Sequence, residues 1–406
     1  MPEPLILKLD LIQTLALSCV VYYCGILIKR AVPVLDRLNI PAAVIGGLLF
    51  ASANLIAHGR WLNIGFETSA QPFFMVLFFT TIGMSASFGL LRQGGVQVVL
   101  FLVISTLFCL VQNFVGIGVS TAMGVPPLLG VIAGSVTLVG GPATGLAFAP
   151  LFETAGVTGA GTLAITAATF GIVCGGIIGG PVGTRLIRKF SLHARANIPR
   201  SETEHELHPE AETITLEIGR EDSPLVMNII VAAAAMGIGS VVSYYFRSWG
   251  WTLPAYIGAM LVASVMRNAD ERTRWFSIDI RIMELLGTVS LNIFLVVALM
   301  DLKLWELLNL ALPLAVILCA QVLIVVVFAL TACFRLMGKD YESAVMASGF
   351  IGFVLGTTAN AVANMKTLVE KYGPAPRAFL VVPMVGAFFI DFTNAIIITL
   401  FLNWFR

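Results

Sequence analysis

The sequence predicts an all-α polytopic membrane protein made of two inverted-topology repeats of five transmembrane helices, each with a re-entrant hairpin. Three observations lead to that class. Of 406 residues, 58% are hydrophobic and 12% charged, with a mean hydropathy of +0.93; a soluble chain of this length needs far more charge to cover its surface. The apolar residues fall in blocks of about 18 to 25, enough to cross a bilayer core as helix. Short motifs of the first half return in the second, in order and at a near-constant offset.

The first apolar block, 11–28, follows a stretch carrying Glu3, Lys8 and Asp10 and precedes Lys29 and Arg30. A cleaved signal peptide carries its positive charge before the apolar run, so a retained span is expected, with the N-terminus outside. Further spans are expected near 40–57, 72–91, 96–122 and 162–183, then 225–246, 252–267, 282–300, 307–334 and 378–403. Segments 128–150 and 343–365 are also long enough to cross, but the basic residues decide against it. Lys29, Arg30, Arg37 and Arg92 share one side if the first three spans alternate. Arg185, Arg188 and Lys189 join them only if 128–150 enters and leaves by the same face. Arg335 and Lys339 precede 343–365, and Lys366, Lys371 and Arg377 follow it, so both of its flanks are basic. Ten crossings with both termini periplasmic leave only Lys8, Arg60, Arg247, Lys303 and Arg406, of 24 Lys and Arg, outside.

Three segments result. Residues 1–184 form a five-helix repeat with re-entrant loop 128–150, and 225–406 form its inverted partner with re-entrant loop 343–365. Between them, 185–224 is a cytoplasmic linker, basic at first and then acidic through Glu202, Glu204, Glu206, Glu210 and Glu212. The repeat rests on recurring pairs at offsets of 212 to 215: Ile-Pro-Ala at 40–42 with Leu-Pro-Ala at 253–255, Ile45-Gly46 with Ile257-Gly258, Ala51-Ser52 with Ala263-Ser264, Met123-Gly124 with Met337-Gly338, and Gly134 and Gly141 with Gly349 and Gly356. Five crossings per half is an odd number, so the second copy lies upside down, the arrangement used by alternating-access transporters.

Each loop contains a break. In the first, Gly140-Gly141 interrupts the helix, Pro142 suits the first position of a new one, and Gly156 ends it. In the second, Gly356 interrupts, Thr357 or Thr358 caps, and the next helix runs to Gly373-Pro374. Irregular backbone at membrane depth persists only where protein buries it or a cavity borders it. A half-helix N-terminus presents unpaired N–H groups and about half a positive charge, which suits a carboxylate. The loops dip from opposite faces, so Gly140, Gly141, Thr144, Gly356, Thr357, Thr358, Asn360 and Asn364 are the candidate substrate-binding residues. Small residues at these places also suit close helix packing.

Asp391 lies in the middle of the last span, where an acid is costly. Two roles fit it: sodium binding, with Asn394 one turn away, or pairing with another helix. Gln112, Asn113 and Gln321 suit interhelical hydrogen bonds, and Gly171, Gly175, Gly179 and Gly183 give one helix a smooth packing face. The six cysteines sit in apolar blocks without CxxC or nearby histidine, so neither a disulfide framework nor a cofactor or metal-cluster site is expected. A net charge of +1 gives no sign of nucleic acid as a partner. An intramembrane enzyme needs a catalytic dyad at depth, yet His58, His193, His205 and His208 all fall in loops or the linker and neither GxSxG nor HExxH occurs.

Four stretches resemble the bacterial glutamate:sodium symporter (ESS) family: QNFVGIG (112–118), GVIAGS (130–135), LKLWELLNLALP (302–313) and FLVVPMVGAFFID (379–391). The similarity covers nearly the whole chain. It implies an inner-membrane homodimer of inverted five-helix repeats that takes up L-glutamate with sodium as coupling ion, by an elevator-like movement and without a cofactor. The chain departs from the family in reading GGPATG at 140–145, with Pro142 and Ala143 in place of the usual middle pair, and in lacking a proline near Ala359 or Asn360. A sodium-coupled carrier of another small carboxylate or amino acid, and an ion channel, are the alternatives. Ion coupling is energetically apt, because moving one negative charge inward against a potential of about 100 mV costs about 2.3 kcal/mol, which one sodium offsets.

Overall fold

The computed structural model describes residues 5–57, 62–89, 95–194, 223–249, 253–307 and 310–405. Most of the linker (195–222) and Arg60, Arg92 and Arg406 of the charge count lie outside the described residues. Helix α1 (Leu11–Ala31) begins where Asp10 accepts the Gln13 N–H while the Gln13 side chain accepts the Asp10 N–H, a reciprocal cap. Helices α2 (Ala42–Ala57) and α3 (Gln71–Met84) follow. A feature outside the all-α expectation is a parallel pair of strands, β1 (Leu5–Leu9) and β2 (Leu62–Phe66), in register from Leu5 opposite Leu62 to Leu9 opposite Phe66. The α1–α2 hairpin supplies the crossover that a parallel pair requires.

In the third expected span, 72–91, helix α3 ends at Met84, and helix resumes at Phe88 and Gly89, where the described residues stop. Asn268 explains the early stop: its Nδ2 donates to the Ala86 carbonyl at 2.8 Å and its Oδ1 accepts the Phe88 N–H at 2.8 Å. A partner 180 residues away substitutes for helix hydrogen bonds.

The chain continues through α4 (Gly95–Ala122), α5 (Pro127–Val136), α6 (Gly141–Thr154) and α7 (Ala160–Lys189). Beyond the linker come α8 (Pro224–Ser248), α9 (Tyr256–Thr273), α10 (Ile280–Met300) and α11 (Ala311–Leu336). The last four are α12 (Tyr341–Leu355), α13 (Thr358–Tyr372), α14 (Pro376–Met384) and α15 (Ile390–Trp404). Among the described residues, six helices are long and apolar enough to cross a bilayer: α1, α4, α7, α8, α10 and α11. Of the other expected spans, α2 and α3 are shorter, with 16 and 14 residues. Helix α9 ends in Arg267, Asp270, Glu271 and Arg272, and the final span is divided by a π-turn at Val385–Phe389 that follows Pro383. Side chains such as Val20, Tyr23, Leu323 and Val327 point outward from their helices, as lipid contact requires. The protein is a multi-pass membrane protein.

The helices sort into two groups, and each group draws on both halves of the chain. Helices α1, α2, α3, α8, α9 and α10 pack on one another, and α4–α7 pack with α11–α15. Tyr256 of α9 touches both groups. It stacks on Phe79 of its own group (ring centroids 3.7 Å apart, 14° between planes) and meets Phe148 of α6 edge-on at 6.3 Å.

Within the second group α7 is the platform. Its glycine face receives the α12–α13 hairpin: Ser348 Oγ donates to the Gly179 carbonyl at 2.8 Å, Asn364 Nδ2 to that of Gly175 at 2.8 Å, and Asn360 Nδ2 to that of Ile172 at 2.7 Å. At the base of the same hairpin, Arg377 Nη2 grips Asp340 at 2.6 and 2.8 Å. Burial alone raises the Asp340 pKa, but hydrogen bonds from Ser343 and the Arg377 guanidinium bring it below its ordinary value. A Cβ at Gly179 would lie 2.6 Å from Asn364 Cγ and 2.9 Å from the Ser348 carbonyl, whereas one at Gly180 meets nothing within 4 Å. Gly179→Ala is therefore expected to lower the thermal unfolding temperature of the purified protein, at a cost of about 1–3 kcal/mol for overpacking. Gly180→Ala should leave it unchanged or raise it, by up to about 1 kcal/mol of helix propensity.

Candidate functional site at two helix breaks

Both expected breaks are present, and both end their helices in the residues the sequence marks. Helix α6 starts at Gly141, whose φ of +67° is strained for any L side chain; Pro142 sits in its first turn, and Gly156, at φ +94°, lies just beyond its end. Helix α12 stops before Gly356, Thr357 caps α13 by accepting the Asn360 N–H at 3.3 Å, and Gly373, at φ +107°, terminates α13.

An α-helix leaves its first N–H groups without intrahelical acceptors, so the donors at each break can be followed one by one. At the first, Gly140 N–H donates to the Ser135 carbonyl at 3.1 Å, Pro142 has none, and no side chain caps the helix. Gly141 and Ala143 N–H remain. At the second, Thr357 N–H donates to the Gly352 carbonyl at 3.1 Å and Asn360 N–H to Thr357. Thr358 and Ala359 N–H remain. Among the described residues no acceptor meets these four amides. The partial positive charge of two helix N-termini accompanies them, and Ala359 is exposed while Thr357 and Thr358 are half-buried.

Polar side chains of α4 hold the two hairpins. Asn113 Oδ1 accepts the Ser135 N–H at 3.0 Å, and its neighbour Gln112 donates through Nε2 to the Val354 carbonyl at 3.2 Å. Gln321 of α11 donates in turn to the Gln112 carbonyl at 2.7 Å. The Asn113 bond serves an additional kink, where Gly134 departs from helical geometry (φ −103°, ψ −130°). Both hairpins also reach the same spot on α7: a Cβ on Gly171 would strike the Leu138 side chain and the Leu355 carbonyl.

The expected residues divide into two sets. Gly140, Gly141, Thr144, Gly356, Thr357 and Thr358 sit at the breaks, with Thr144 against Gly140 and Thr358 Oγ1 donating to the Gly386 carbonyl at 3.2 Å. Asn360 and Asn364 instead spend their amide N–H groups on α7 carbonyls, although the buried Asn360 Oδ1 has no partner. Of the ion candidates, Asn394 is fully buried, donates to the Ser135 carbonyl at 2.8 Å and keeps an unpartnered Oδ1. The Ser135 hydroxyl beside it is likewise buried and unpartnered. Asp391, one turn before Asn394, is half-buried and has no hydrogen bond or ion pair among the described residues. Hard oxygen donors of this kind suit a hard cation. Sequence reasoning missed Ser135, Ala143 and Ala359, since backbone donors leave no trace in residue type. The Gly134-Ser135 pair was the one available signal.

Comparison with known proteins places the chain in a family. The family described as "Sodium/glutamate symporter" matches residues 7–374. The sodium/glutamate symporter of Escherichia coli (strain K12) is 38% identical over 403 residues, covering 97% of this chain and 98% of that one. That of Haemophilus influenzae is 38% identical over 385 residues, covering 94% and 95%. A solved sodium proton antiporter of Methanocaldococcus jannaschii covers 97% of this chain and 98% of its own at 15% identity and a TM-score of 0.44, too loose a likeness to build on. With so long a match at that identity, the chain belongs to the sodium/glutamate symporter family, whose members are transporters and not enzymes.

Proposed function

We propose that the chain imports L-glutamate together with sodium across the bacterial inner membrane by alternating access. The observation that carries this is the set of four unpartnered amides, Gly141 and Ala143 at one break and Thr358 and Ala359 at the other. Such donors suit the carboxylates of a small acid. Sodium takes the oxygens of Asp391, Asn394 and Ser135, and because Asn394 is bonded to the first hairpin at Ser135, cation and substrate occupancy are coupled through one hydrogen bond.

Ten crossings, inverted repeats and re-entrant hairpins with both termini periplasmic complete the proposal. Repeat-related residues occupy like places along the elements: Gly124 and Gly338, both at positive φ, follow α4 and α11, and Gly141 and Gly356 stand at the two breaks. Each helix group draws on both halves, as an elevator-like movement of the hairpin-bearing group against the other demands. That other group would carry the homodimer contact. Pro142 removes one donor from the first break, which favours a second possibility, a sodium-coupled carrier of another small carboxylate on the same amides.

Two measurements test this. Counterflow in proteoliposomes with labelled glutamate, aspartate and citrate is expected to show saturable exchange that needs sodium, with glutamate foremost. Exchange indifferent to sodium contradicts the proposal, and preference for citrate selects the second possibility. Asp391→Asn is expected to raise the sodium concentration for half-maximal uptake by about tenfold, equivalent to about 1.4 kcal/mol. Unchanged sodium activation would remove Asp391 from the ion site.

A further inference from the structure

A polar cavity lies away from the breaks. It has a volume of about 460 Å³ and opens where α6 ends, α7 begins and α10 ends. Its wall comes from both helix groups: Glu153, Thr158, Gly161 and Thr162 on one side, Gln71, Asp301 and Lys303 on the other. Among the described residues, Glu153, Asp301 and Lys303 have no ion pair and no side-chain hydrogen bond, and Gln71 has no side-chain partner. Asp301 and Lys303 are two residues apart and of opposite charge, yet they do not pair with each other. Partial burial, which strips water from the charged form, raises the Asp301 carboxyl pKa above its ordinary value, and the nearby Lys303 charge opposes the shift.

A cavity that keeps charges of both signs separate presents complementary points to a ligand carrying both. The first amides of α7 add a third point, because its N-cap, Gly159, supplies no side-chain acceptor and Gly161 and Thr162 line the wall. That gives two anion-attracting positions and a carboxylate, matching an acidic amino acid with two carboxylates and one ammonium group. We infer that this cavity is a capture site for the acidic amino acid at the outer mouth, with Lys303 and the α7 amides taking its carboxylates and Asp301 its ammonium group. Glu153 at the rim is a second acceptor for the ammonium. The site is open to water, so it binds weakly and serves to raise the local concentration of substrate on the approach to the central amides. Because its walls belong to both helix groups, a relative movement of the groups opens or closes it.

The inference rests on the proposed glutamate uptake, and the test separates the two. Uptake kinetics are measured in proteoliposomes for the full chain, Lys303→Gln, Lys303→Arg and Asp301→Asn, with glutarate, which lacks the ammonium group, as competitor. Lys303→Gln is expected to raise KM for glutamate by about fivefold at low ionic strength, with Vmax unchanged and a smaller effect at high salt. Lys303→Arg should restore KM. Asp301→Asn should narrow the preference for glutamate over glutarate, which Lys303→Gln should not. If the unaltered chain carries glutamate but KM ignores Lys303, or if only Vmax falls, the capture site is overturned while the proposed function stands. A shift in sodium activation instead of glutamate KM assigns the cavity to the cation and also overturns it. If the unaltered chain does not carry glutamate, both fall.

Discussion

Broken helices at membrane depth must have their freed backbone groups satisfied by the protein, because lipid offers no hydrogen bonds. The architecture of the hairpin-bearing group follows from that requirement. Asn113 and Gln112, adjacent on α4, each serve one hairpin, Asn394 reaches the first from α15, and Asn360, Asn364 and Ser348 fasten the second to α7. Among the described residues, the backbone amides of Gly141, Ala143, Thr358 and Ala359 at the two short-helix starts are left without a partner. These four donors stand where a carboxylate can use them.

The packing around α7 makes this possible. Four glycines on one face let backbone approach backbone, so short amide side chains span the gap to main-chain carbonyls. The group holds both breaks and Asp391 together. Between the groups the contact is of another kind: Tyr256 meets Phe148 edge-on, and a polar cavity lies at one end.

Much of this was legible in the sequence. The breaks at Gly141 and Gly356, the Thr357 cap and the helix stops at Gly156 and Gly373 follow from residue type, because positive φ and capping are local properties. The glycine face of α7 was legible from its period. The early end of α3 was not, since its cause is Asn268, far along the chain. Nor was the β1–β2 pair, whose strands meet only once α1 and α2 have folded back. Within the site, Asn360 and Asn364 look like ligands by type and position, and only the structure places their amides on α7. Sequence period finds the face a residue lies on, while its hydrogen-bond partner depends on which helix arrives there.

The account centres on two hairpins that enter the membrane from opposite faces and return. Single cysteines at Ala122, Thr158, Arg335 and Lys371, in a background without native cysteine, can be labelled with a membrane-impermeant maleimide in spheroplasts and again after lysis. The account predicts that positions 122 and 158 react in intact spheroplasts and that 335 and 371 react only after lysis. If the two members of either pair react from different sides, the hairpin between them crosses the bilayer and the account is contradicted.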